Sequence, residues 1–72
     1  MKYAMNIMDK EQNGKVVKVV PLFSTTKKMA LNEATDIFLD AAMGMMDEEQ
    51  NEKIMEGDAD ISDFLEFDVV KV

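Results

Sequence analysis

The side chains able to do chemistry in this 72-residue chain are almost all carboxylates: fifteen Asp and Glu face eight lysines, with no His, Cys, Arg or Trp. Those absences remove Ser-His-Asp and Cys-His triads, thiolate or imidazole metal sites, arginine fingers and histidine acid–base work. Paired carboxylates remain, but catalysis by them needs a pocket that raises one pKa and groups that orient a substrate. A domain of this length has little volume for a pocket of several hundred Å³. A non-catalytic protein is therefore expected, without cofactor or metal. Asp58, Asp60, Ser62 and Asp63 suggest a calcium loop, yet the EF-hand spacing needs Gly at position six and Glu at twelve. Counting from Asp58 places Asp63 and Val69 there, and counting from Asp47 places Glu52 and Asp58.

The net charge of −7 is unevenly spread. Residues 1–32 carry six lysines and two acids, whereas residues 33–68 carry thirteen acids and only Lys53. Such a block often marks a disordered tail. Here Ile37, Phe38, Leu39, Met43, Met45, Met46, Ile54, Met55, Phe64, Leu65, Phe67 and Val69 interrupt it, leaving enough apolar surface for a folded element. On a helix Glu33, Asp36 and Asp40 lie along one face, and Asp47, Glu48, Glu49, Glu52 and Glu56 continue the row. Glu66 and Asp68 share a strand face. Carboxylates one helical turn apart can imitate a phosphate row and steer the protein toward basic surfaces. The bland alternative is solubility. Lys15, Lys18, Lys27 and Lys28 read as solubilising or edge-protecting groups, and the acid block disfavours direct nucleic-acid binding.

Eight methionines add a second signal, since Met serves both as core filler and on adaptable binding surfaces. Met29 and Met55 are expected in or near the core. Met43, Met45 and Met46 crowd around Gly44, where all three cannot point inward, so an apolar tip ringed by Asp40, Asp47, Glu48 and Glu49 is expected.

These groups need elements to hold them. Tyr3, Met5 and Ile7 alternate as in a half-buried strand. Asn13-Gly14 signals a type I′ hairpin turn, and residues 15–23 form a β-branched second strand with Pro21 near an edge or end. Ser24, Thr25 and Thr26 are N-cap candidates for a helix with an apolar stripe of Ala30, Leu31, Ala34, Ile37, Phe38, Ala41 and Met45. Gly44 should weaken or end it near Asp47. Asp47 with Gln50 forms a capping-box pattern for a short helix ending at Gly57. Leu65, Phe67 and Val69 mark a third strand. The prediction is one small acidic α+β domain over residues 1–72, β-β-α-(α)-β, with one main helix on an antiparallel hairpin plus C-terminal strand. A chain this short buries only about 60% of its unfolded surface, so its core is thin.

Val20-Pro21-Leu22-Phe23 before the helix, Ala34 within it and the closing Phe67-Asp68-Val69-Val70 are laid out as in phage-encoded inhibitors of bacterial RNA polymerase. In kind the chain resembles the small acidic proteins that bacteriophages make to block host enzymes. The resemblance implies an inhibitor of a host enzyme and transfers no site residue; DNA mimicry is the expectation drawn from the spacing of the acids. With no apolar leader and no membrane-length run, a cytoplasmic protein is expected. Its expected partner is a larger host protein with a basic surface, such as a polymerase or nuclease. Asp36, Asp40, Asp47, Glu48, Glu49, Glu52 and Glu56 would supply electrostatic docking and Met43, Met45 and Met46 the apolar contact. The competing expectation is a homodimer or small assembly subunit, formed at a sheet edge carrying Tyr3, Val17, Val19 and the last strand.

Overall fold

In the computed structural model, which describes residues 2–72, the alternating segments pair into a three-stranded antiparallel sheet in the order β2-β1-β3. Strand β1 (Tyr3–Asp9) lies at the centre, β2 (Lys15–Leu22) and β3 (Leu65–Lys71) at the edges. Because both edge strands run antiparallel to β1, they run parallel to each other. Parallel strands need a crossover. Helix α1 (Lys27–Met43) provides it, followed by α2 (Glu48–Met55). The expected α+β order is therefore the one observed.

The β1–β2 connection differs from the expected two-residue turn. Asn13 (φ 61°) and Gly14 (φ 75°) do take the left-handed conformation that the Asn-Gly pair favours. They close a five-residue loop, however, because Lys10–Gln12 first form a 3₁₀ turn. Asp9 causes the difference: its Oδ1 accepts from the Glu11 N–H at 2.9 Å and its Oδ2 from Gln12 Nε2 at 2.8 Å. Further along, Ile7 pairs with Lys18 but Met8 with Val16, leaving Val17 as the extra residue of a β-bulge.

Strand alternation sends Met5 and Ile7 toward α1, flanked by Leu22, Val69 and Leu65. Both are fully buried. The helix meets them with Ala30, Ala34 and Ala42, which are also fully buried, and with Phe38, whose ring lies 4.7 Å from that of Phe67. Small side chains let the helix sit close to the sheet, giving a molecule only 15 Å thick in its shortest dimension. The opposite sheet face, formed by Ala4, Asn6 and Met8 with Val16, Val19, Pro21, Glu66, Asp68 and Val70, is not covered by a helix. The expected helical stripe is corrected at Leu31, which is 43% exposed, and extended by Ala42. Met29 and Met55, expected inside, are 56% and 87% exposed. Chain position explains both: Met29 stands in the first turn of α1, and Met55 ends α2, none of whose residues is fully buried.

With stability of a 72-residue chain on the order of 4–11 kcal/mol, so thin a core leaves little reserve. Ile7→Ala is expected to cost roughly 2–5 kcal/mol in urea unfolding, enough to unfold much of the population. Leu39→Ala, on the exposed side of α1, is expected to stay within about 0.5 kcal/mol of the parent.

Candidate functional site

The acids expected to form the site stand on the two helices. Thr26 opens α1, its Oγ1 accepting from the Met29 N–H at 3.3 Å. Asp36 and Asp40, one turn apart, are both exposed. The helix stops at Met43, where Gly44 keeps a right-handed conformation as C-cap. Asp47 then opens α2 with the expected capping box: its Oδ1 accepts from the Gln50 N–H at 2.8 Å, and Gln50 Oε1 accepts from the Asp47 N–H at 3.2 Å. Gln50 Nε2 also donates to Glu11 Oε1 at 3.1 Å, fastening α2 to the hairpin loop. At the far end Gly57 (φ 80°) forms a Schellman closure, with Gly57 N–H donating to the Ile54 carbonyl and Asp58 N–H to that of Lys53.

Helix α2 displays Glu48, Glu52 and Glu56 at one-turn intervals, all exposed. Glu48 and Glu49 suit the first turn, where the helix dipole favours anions. Glu56 stands at the opposite end, where the dipole favours cations, so its placement works against helix stability. Glu49 Oε1 lies 3.8 Å from Lys53 Nζ, an exposed pair worth little. It is the one ion pair among the described residues.

The methionine tip is smaller than expected. Met43 is 58% exposed, Met45 is half-buried against the core, and Met46 is buried within it. Met46 is therefore a packing residue and not a contact residue, because the turn after Gly44 carries it back toward the sheet side of α1. Asp47 is exposed but its Oδ1 is engaged in the cap.

Glu33 departs furthest from its place in the expected acidic row. Its carboxylate turns back to the β2–α1 corner and accepts four hydrogen bonds: from the Phe23 N–H to both oxygens at 3.0 Å, and from Ser24 N–H (2.9 Å) and Ser24 Oγ (2.7 Å) to Oε1. The Phe23 N–H, then the Ser24 hydroxyl, hold its pKa below the ordinary 4.5; desolvation opposes them, and the Ser24 N–H lowers it further. Nothing local marks this role: ten residues separate Glu33 from Phe23, and only the fold joins them.

No pocket is found among the described residues, nor any group of three or more acids placed to hold a metal. No helix of the structure is long and apolar enough to cross a membrane. No known family model, curated protein or solved structure matches the chain.

A carboxylate with a depressed folded-state pKa contributes stability that is present above its unfolded pKa and lost as pH falls through the folded one. Glu33→Gln is therefore expected to lower the denaturation midpoint at pH 7, with the gap from the parent narrowing as pH falls below 4.5. A gap independent of pH would show that the charge on Glu33 is not what closes the corner.

Proposed function

We propose that the protein is a non-catalytic binding module that docks its acidic helices onto a basic, nucleic-acid-handling protein and inhibits or regulates it. The observation that carries this reading is the lack of internal neutralisation: Asp36, Asp40, Glu48, Glu52 and Glu56 are exposed, and the single ion pair among the described residues engages only Glu49. Carboxylates one turn apart on two helices present negative charge at regular intervals, as a phosphate backbone does. The position of Glu56 against its own helix dipole adds support, since helix stability does not account for it. Met43 gives the acidic surface an apolar contact, a combination that suits a protein partner better than a small ion. Such docking is fast and salt-sensitive because exposed charges supply the steering.

Immobilised protein incubated with a bacterial lysate is expected to retain a nucleic-acid-binding protein that elutes at moderate salt and is displaced by double-stranded DNA. The triple variant Glu48→Lys, Glu52→Lys, Glu56→Lys should lose that capture while its circular dichroism spectrum is unchanged. Retention that DNA cannot displace, or that survives the triple reversal, would sink the acidic-docking reading.

A further inference from the structure

Helix α1 is inverted with respect to side-chain size. Its buried line is mostly alanine (Ala30, Ala34, Ala42, with Phe38); of its larger aliphatic residues Ile37 packs half-buried against the core, while Leu31 (43% exposed), Leu39 (55%) and Met43 (58%) face solvent. Leu31, Thr35, Leu39 and Met43 follow one another at intervals of four, which forms a ridge of the kind that interlocks with a second helix. Thr35 does not interrupt it, because its Oγ1 donates to the Leu31 carbonyl at 2.8 Å and the hydroxyl is satisfied within the helix. The charges along α1 also oppose its dipole. Lys27 and Lys28 occupy the first turn and Asp40 the last, with no acid in the first turn and no base in the last.

Size and charge share one centre. Extended backward, the ridge begins at Lys27, so Thr35 is its midpoint: Leu31 and Leu39 stand four residues to either side, Lys27 and Met43 eight. We propose that this ridge is a self-complementary surface on which a second copy of the chain docks, α1 against α1 in antiparallel sense, about a two-fold axis at Thr35. Leu31 of each copy then faces Leu39 of the other, and Thr35 faces its own counterpart. The lysine-bearing first turn of each helix comes beside the partner's last turn, which carries Asp40, and the two opposed helix dipoles run antiparallel. A parallel pairing would instead set lysines beside lysines and aspartates beside aspartates. The β2 edge is the weaker candidate for self-association, because the Val17 bulge and Lys15 and Lys18 are devices that discourage strand addition.

One ridge per copy covers less than the ~800 Å² per partner of a standard interface, so a weak dimer is expected. Sedimentation is therefore followed up to about 1 mM protein. The average mass should rise from 8.2 kDa toward twice that value. Leu39→Lys should hold it at 8.2 kDa throughout, whereas Val19→Lys, on the sheet edge, should associate like the parent. The chain has no cysteine, so Thr35→Cys offers a clean second readout. Because it meets its own counterpart at the axis, it should form a disulfide-linked dimer on mild oxidation, while Met29→Cys, off the ridge, should not. A parent that stays at 8.2 kDa to the highest concentration overturns the proposal, as does association that Val19→Lys abolishes and Leu39→Lys leaves intact. These outcomes use purified protein alone, so they leave the acidic-docking reading to its own test.

Discussion

The structure depends on how closely α1 approaches the central strand. Among the described residues, Met5 and Ile7 are the only large side chains that are fully buried, and a line of alanines lets the helix backbone come down onto them. With larger residues in that line the helix would stand farther off, and side chains on β1 would lose contact on one side. The other residues of the core cluster, from Leu22 on one edge strand to Val69 and Leu65 on the other, pack around this contact. One close approach thus organises a core that a chain of this length could not thicken.

That approach requires the chain to leave β2, cross the sheet and return as β3, and the corner where it leaves is held by Glu33. Four hydrogen bonds to one carboxylate fix Phe23 and Ser24, two residues beyond the end of β2 and a few before the Thr26 cap. The clamp satisfies backbone N–H groups that have neither a strand nor a helix partner, which a turn made of backbone alone would leave to water. At the other end of α1, Gln50 joins the α2 cap to the hairpin loop through Glu11, and the Lys10 N–H donates to the Phe64 carbonyl at 2.9 Å. Both ends of the crossover are therefore tied to the sheet by polar contacts, and its middle by apolar ones.

The elements were legible in the sequence because their signals are local. Alternation marks β1 and β3, the Asp47–Gln50 box opens α2, Gly57 closes it, and Asn13-Gly14 turns the chain with positive φ as its residue types require. Contacts reaching across the chain were not legible. Asp9 converts a short turn into a five-residue loop through its side chain, and Glu33 leaves the acidic face for a corner ten residues away. The methionines misled for a related reason. Hydrophobicity marks a residue as suited to burial, but Met29 and Met55 stand where no layer covers them, while Met46 is brought inside by the turn after Gly44. Of the expected site, the exposed acids Asp36, Asp40, Glu48, Glu49, Glu52 and Glu56 and the tip Met43 lie on the surface. Asp47 is spent on the cap and Met46 on the core.

The same close approach has a consequence for the outside of the helix. Three of the large aliphatic residues of α1, Leu31, Leu39 and Met43, lie outside its alanine-rich buried line, at intervals that make a ridge. Solubility alone would favour polar residues there, since monomer stability gains little from a half-exposed leucine. The lysines of the first turn and the aspartate of the last are likewise placed against the dipole of the isolated helix. Both departures run along one helix, and both are relieved by the same arrangement, an antiparallel neighbour that covers the ridge and brings the opposite charges together. The acids of α2 lie outside that arrangement. Their row has no cation of its own beyond Lys53, so their charge remains uncompensated at the surface.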